Sequence, residues 1–513
     1  MKPYKILLFI LCTGGLFGLA AWFFPREGVT VQGIRFSLPD LRGRWQQLTA
    51  APDTAAAVAP LSPEQLLMQR AKELRRAEEG EYLDYFSRNP ARIRWPHRVV
   101  ERQDTVAVAA DSAVVTVRRD TVLRYDYFDP LYAALDDAAA TPVRIAHYGD
   151  SQIEEDRMTM TLRRTLQQRF GGGGPGLLPY WQAVPTRTMS QHTQPQPVRY
   201  TVFGTKNMHR RDSKRYGPMG QVSLLDGTGS VSVRPRESGR SLPTERFFNR
   251  LTLLSRSETP LTIRTRYGEQ TVQPDGAAMQ LTTLSLPDST TNLSLTLAGK
   301  GEIYAMAVDN NTGVSVDNIP MRGCAGTLFT DMDAAQLGLW FSRSNTRLVI
   351  LQYSGNAVPY MKNRRSLETY LKRLQPQLAF MQRCAPGAVF LFIGPSDMTM
   401  RIDGQMQTYP MLPEIDRRLA ETVNAQGMAY WSLFESMGGT GSMQRWVQAG
   451  LAAADYIHFM HRGADEAGAM LSRALLLGYE YYDFRRDTER QLKRLREEAD
   501  SQAAADTLLT GND

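Results

Sequence analysis

Two apolar runs constrain the fold more than anything else in this sequence. Leu348-Val349-Ile350-Leu351-Gln352-Tyr353 and Ala388-Val389-Phe390-Leu391-Phe392-Ile393 carry large apolar side chains at successive positions. A strand that is apolar on both sides must be covered on both faces, and strands of parallel sheets read this way. Helix-like stretches fall between and after these runs, which predicts an α/β domain with a parallel sheet between layers of helices. A third strand is expected over Pro142-Val143-Arg144-Ile145-Ala146-His147-Tyr148, ending at Gly149-Asp150-Ser151. Arg157 to Phe170 then reads as an amphipathic helix, closed by Gly171-Gly172-Gly173-Gly174-Pro175-Gly176. The glycine run formally matches the dinucleotide fingerprint. It follows a helix instead of a strand, so it reads as a helix cap and loop that borders the site.

Between these blocks the period changes. Over residues 190–312, short alternating segments such as Leu261-Thr262-Ile263-Arg264 and Leu293-Ser294-Leu295-Thr296-Leu297 recur between turn residues. That pattern predicts an all-β sandwich of jelly-roll kind inserted into the α/β domain. The expected order is a hydrophobic segment over 1–25, a stalk and N-terminal extension over 26–125, and the α/β domain over 126–189 and 313–484. The insertion separates its two parts, and a charged helical tail covers 485–513. In the extension, Ser62-Pro63-Glu64 marks a helix start, and 98–125 alternate in strand fashion.

The 513 residues suffice for one large core and a smaller one. The net charge of +7 is spread along the chain, and no basic helix is interleaved with aromatics, so a nucleic-acid partner is not expected. Cys12 lies in the N-terminal apolar run. That leaves Cys324 and Cys384 as the one candidate bridge, and two reduced, buried thiols are expected. Lys2 and Lys5 precede the apolar run from Ile6 to Phe24. At 1.5 Å per residue its roughly 19 residues would span about 28 Å, close to the hydrocarbon core of a bilayer. An inner-membrane anchor with an extracytoplasmic, periplasmic body is expected, and a cleaved signal peptide is the alternative.

The chemistry is expected at strand ends. Ser151 follows a strand and precedes a helix, whose N-terminal N–H groups favour developing negative charge. Asp150 or Ser151 could equally serve only as a helix cap. Far downstream, Asp455-Tyr456-Ile457-His458 places a carboxylate and an imidazole three residues apart. A tight turn would let Asp455 orient His458 while the other ring nitrogen faces a serine. Gly323 and Asn356 each follow a strand and could supply oxyanion donors. Gly174, Gly355 and Trp446 are expected to contact substrate, and Trp431 and Tyr180-Trp181 are further stacking candidates, with buried core positions as the equal alternative for these aromatics. Asp397 also follows a strand, but the spacing to His458 favours Asp455. His458 and His461 lack a matching ligand set, so no metal and no cofactor are expected.

The order Ser151, Gly323, Asn356, then Asp455 and His458 resembles the SGNH (GDSL-like) hydrolase superfamily. The finer resemblance, over about residues 140–480, is to peptidoglycan O-acetylesterases with an inserted carbohydrate-binding-like β domain. It rests on Tyr148-Gly149-Asp150-Ser151-Gln152, Gly313-Val314-Ser315-Val316-Asp317-Asn318, Ile393-Gly394-Pro395-Ser396-Asp397 and Asp455-Tyr456-Ile457-His458. The resemblance implies a flavodoxin-like sheet sandwiched by helices, with Ser151 as nucleophile, His458 as base and Asp455 orienting it. Ser151 N–H, Gly323 N–H and the Asn356 side chain would form the oxyanion hole. It implies removal of O-acetyl groups from an O-acetylated glycan. Alternatives are acetyl transfer to a glycan, with a membrane acyltransferase as partner, and glycan binding without turnover. Pro320, Ser354-Gly355-Asn356-Ala357, His461 and Arg462 depart from the usual pattern around the site.

Overall fold

The computed structural model describes residues 29–31, 34–36, 63–108, 112–204, 210–236 and 246–510. The chain divides into two units, Met1–Ala71 and Lys72–Asp513. In the first, Val29–Val31 pairs antiparallel with Ile34–Phe36. The run from Ile6 to Phe24 lies outside the described residues. Among those described, no helix is long and apolar enough to cross a membrane.

The second unit is built on a six-stranded sheet. Its strands are β1 (Ile93–Arg94), β2 (Val143–Gly149), β3 (Val314–Pro320), β4 (Thr346–Gln352), β5 (Val389–Ile393) and β6 (Ala429–Trp431). Their spatial order is β3-β2-β4-β5-β6-β1, and all neighbours are parallel except β6 and β1. The main helices of the unit are α1 (Pro63–Arg88, which begins in the first unit), α2 (Asp129–Asp136), α3 (Thr159–Phe170), α4 (Ala334–Arg343), α5 (Arg364–Cys384), α6 (Leu412–Ala425) and α7 (His461–Thr510). The strand side chains alternate between two apolar layers, as a period of two requires. Ala146, Val349, Leu351, Phe390 and Phe392 pack with Leu337, Leu367 and Ile415 of α4, α5 and α6. Ile145, Leu348, Ile350, Leu391 and Ile393 pack with Leu131, Leu162 and Leu471 of α2, α3 and α7. The continuous apolar runs are thus strands buried on both faces. The charged tail is not a separate element, since α7 runs unbroken from His461 to Thr510.

Among the described residues, the region expected to be all-β is built mainly of strands. A nine-stranded antiparallel sheet begins at Gly176–Leu178 and ends with the long strand Leu293–Asp309. Gln221–Pro235 pairs along that strand. Its other edge passes from Leu261–Thr265 to Arg250–Ser257 around Gly299 and Gly301. A Cβ at Gly301 would lie 2.3 Å from Arg256 O, so only glycine allows this close approach. The alternation expected over 98–125 falls on His97–Val108 paired antiparallel with Ser112–Leu123.

The insertion is tied to the sheet by charge. Arg144, at the start of β2, bonds Asp317 of β3 and Asp309 at the end of the inserted sheet. Arg250 also donates to Asp309 Oδ1, at 2.8 Å. Cys324 and Cys384 are buried and unbridged, and burial pushes their thiols up to about 12 and about 11. Both stay protonated at neutral pH.

Candidate active site

The chain runs from β2 out to β3 on one side and returns to β4 on the other. The C-terminal end of β2 is therefore the point where strand order reverses, and a crevice opens there. Ser151 sits at this point. Its Oγ lies 2.9 Å from His458 Nε2, and His458 Nδ1 lies 2.7 Å from Asp455 Oδ2. Residues 307 apart in sequence are joined in one line of hydrogen bonds. With Nδ1–H donated to the carboxylate, Nε2 is free to accept the serine proton.

Local geometry explains why Asp455 reaches its partner. Asp455 Oδ1 accepts from the backbone N–H of Ile457 and His458, both at 3.0 Å, and Tyr456 takes a left-handed φ of 58°. This side-chain turn swings Oδ2 onto the imidazole. Burial works against the Asp455 carboxylate, but the His458 and Ile457 hydrogen bonds outweigh it and hold its pKa below the ordinary value. Asp397 is excluded as the orienting acid. It is buried and accepts from Thr408 Oγ1, Ser442 Oγ and Met443 N.

A cavity of about 240 Å³ opens over the pair, lined by Ser151, His458, Asn356, Gly355, Tyr360 and Pro395 among others. Asn356 Nδ2 donates to Asp150 Oδ2 at 3.0 Å and to Cys324 O at 3.2 Å, so both of its hydrogens are engaged. Among the described residues, the N–H groups of Ser151 and Gly323 have no protein acceptor. Asp150 also accepts from Gln152 N, and burial raises its pKa to about 6.

Two expected substrate contacts lie elsewhere. Gly174 is buried in the glycine run with φ +73°, where a Cβ would sit 2.4 Å from Val308 O of the insertion. It lets the loop pass against the inserted sheet and does not line the cavity. Trp446 is a buried core side chain tilted against Phe459 with 5.1 Å between ring centroids. Trp431 and Tyr180 are buried too. His461 bonds Glu155 at 3.2 Å, and no metal-binding cluster occurs among the described residues.

Sequence reasoning gave no role to Gln152. Its Nε2 donates to Ile457 O at 2.6 Å and its Oε1 accepts from Phe459 N at 3.4 Å. It clamps the serine loop to the histidine loop. An amide beside the nucleophile was the available signal. Equally unforeseen is the strained turn behind Ser151, where Glu155, Asp156 and Met158 take φ of 63°, 68° and 55°. Such non-glycine residues cost of order 1–3 kcal/mol each and persist where contacts over-determine them. Here Arg163 grips Asp156 through both guanidinium nitrogens, at 2.7 and 2.9 Å.

No family model and no curated protein matches the chain. Among solved structures, it is similar to a peptidoglycan O-acetylesterase at 22% identity and a TM-score of 0.55, over 68% of this chain and 95% of that one. The likeness shows a shared fold, a helix-covered, mostly parallel sheet with a β-rich insertion. Weaker likenesses include a family two carbohydrate esterase from Clostridium thermocellum, at 10% identity and a TM-score of 0.23 over 55% of this chain and 99% of that one. The periplasmic domain of a Salmonella ser. Paratyphi A lipopolysaccharide acetyltransferase gives 12% identity and a TM-score of 0.24, over 32% and 74%.

Proposed function

We propose that this SGNH-fold chain removes O-acetyl groups from a cell-envelope polysaccharide through an acyl-enzyme on Ser151. Peptidoglycan is the first substrate to test. The observation that carries this reading is the continuous Ser151–His458–Asp455 relay at the mouth of a cavity. Ser151 Oγ attacks the ester carbonyl as its proton passes to His458 Nε2, and Asp455 stabilises the imidazolium. In this reading the Ser151 and Gly323 N–H groups meet the oxyanion, and the Asn356 amide joins them by giving up Cys324 O. The sugar oxygen leaves with the proton from His458. Water, deprotonated by His458, then splits the acyl-enzyme into acetate and free serine.

The test is acetate release from O-acetylated peptidoglycan and from an aryl acetate. Wild type releases acetate and Ser151→Ala does not. Equal release by both proteins rejects the proposal, and a glycan acceptor that gains acetyl in place of free acetate reassigns the reaction as transfer. One observation favours a second reading, glycan binding without turnover: both Asn356 amide hydrogens are already engaged. A fluorophosphonate that fails to label Ser151 would support it. The proposal extends to an extracytoplasmic site of action with residues 6–24 as anchor, supported by that apolar run and checked by membrane fractionation.

A further inference from the structure

Asn356 and Tyr360 line the cavity that holds Ser151 and His458, and both also line a second cavity of about 620 Å³. The two spaces are neighbours that share these walls. Tyr360 stands between them with 78% of its surface exposed, the highest value among the large exposed apolar side chains described. A ring left in water beside a reactive serine has no packing role to explain it, and it suits the face of a sugar.

The far wall of the second cavity is α5. Arg365, Thr369 and Arg373 line it at four-residue intervals, so they share one face of the helix. Two other charges on this helix are matched, Arg364 facing Glu414 at 3.7 Å and Glu368 holding Arg418 at 2.6 Å, while among the described residues Lys372 and Arg383 pair with no carboxylate but do not line the cavity. Among the described residues Arg365 and Arg373 pair with no carboxylate, and no acidic side chain lines the cavity. The two guanidinium groups are carried about 12 Å apart along the helix. That spacing fits a polymer with charge along its length better than a single small anion. The remaining polar wall, including Thr327 and Asn363, offers hydroxyl and amide partners.

We infer that this groove holds an acidic stretch of glycan, with a sugar ring against Tyr360 and carboxylates on Arg365 and Arg373. The ester reaching Ser151 would then belong to an acidic polysaccharide in preference to a neutral one. The inference rests on the glycan-ester reading above, and its test is binding, which needs no turnover. Ser151→Ala protein is titrated with a short polygalacturonate oligosaccharide and with a neutral cello-oligosaccharide. The acidic ligand binds more tightly, and added salt erodes that advantage as it screens the groove. Arg365→Glu with Arg373→Glu weakens the acidic ligand at least about tenfold and the neutral one less than about twofold. Tyr360→Ala weakens both, and Arg264→Glu on the insertion changes neither. Equal affinity for the two ligands, or acidic affinity that survives the double charge reversal, overturns the inference. Loss of Ser151 reactivity with the binding pattern intact rejects the esterase and leaves the groove standing.

Discussion

Strand β2 joins two polar clusters of opposite character. At its start, Arg144 is 2% exposed and bonds two fully buried carboxylates, Asp309 and Asp317. Just beyond its end, Ser151 meets His458 and Asp455, whose side chains are 37% and 47% exposed. The first cluster is sealed. Burial raises the pKa of Asp317 even against the guanidinium beside it, while the two carboxylates outweigh the cost of burying Arg144 and raise its own. The second is open to solvent, and a line of hydrogen bonds runs through it from Asp455 by way of His458 to Ser151. The difference separates structure from chemistry on a single strand. A charge locked between two partners can hold domains together but cannot move a proton. A chain of groups that ends at solvent can.

The largest expected effect breaks the open cluster. Ser151→Ala removes the nucleophile, and kcat for an aryl acetate falls about 10⁴- to 10⁶-fold with the melting temperature unchanged. Asp455→Asn follows. It still accepts from Ile457 N and His458 N but presents an amide to Nδ1, which reverses the imidazole tautomer. The expected loss in kcat is about 10²- to 10⁴-fold. Solvent access to the pair favours the lower end, so the size of the loss measures how open the cluster is. Breaking the sealed cluster acts differently. Arg144→Met leaves Asp309 and Asp317 buried with one fewer cation, at a cost of about 3–5 kcal/mol in chemical denaturation. Fluorophosphonate labelling of the fraction that remains folded stays at the wild-type rate. A labelling defect in that fraction would show that the two ends of β2 are coupled.

The open cluster was largely legible in the sequence and the sealed one was not. Ser151, Asp455 and His458 announce themselves because their chemistry demands particular residue types at strand ends, and a three-residue spacing lets acid and base meet. Arg144, Asp309 and Asp317 lie in three separate strands, and nothing local marks them as partners. Their meeting depends on how the insertion packs on the sheet. The same reason explains Gly174 and Trp446. A glycine in a flexible-looking run and a tryptophan shortly before Asp455 and His458 both suggest contact with substrate. Their neighbours Val308 and Phe459 come from distant sequence and draw them into the interior. Parallel strands were readable because two-sided burial leaves continuous apolar runs. The strained turn over Glu155 to Met158 was not, since no glycine marks it.

The smallest expected effect comes from the middle of β2, where a second histidine is sealed in the manner of Arg144. His147 lies between Gln352 Oε1, at 3.1 Å from Nε2, and Thr159 Oγ1, at 2.9 Å from Nδ1. Burial pushes its pKa from 6.5 down to about 4. The unfolded chain therefore takes up a proton below pH 6.5 that the folded chain refuses until about pH 4. The stability from a neutral His147 is present above pH 6.5 and is lost as pH falls through 4, in all about 3 kcal/mol. Asp150 works in the other direction. Burial raises its pKa from 3.8 to about 6, so its ionisation cost is relieved as pH falls through 6. The two slopes nearly cancel between pH 4 and 6 in the wild type, and comparing wild type with His147→Gln cancels Asp150 from both sides. The variant's destabilisation, read from urea midpoints, is expected to shrink by about 3 kcal/mol between pH 7 and pH 4. A cost that stays constant over that range would mean that His147 takes up its proton in the folded chain as readily as in the unfolded one. It would then share the solvent access of His458, and the contrast between the two clusters would end at Arg144.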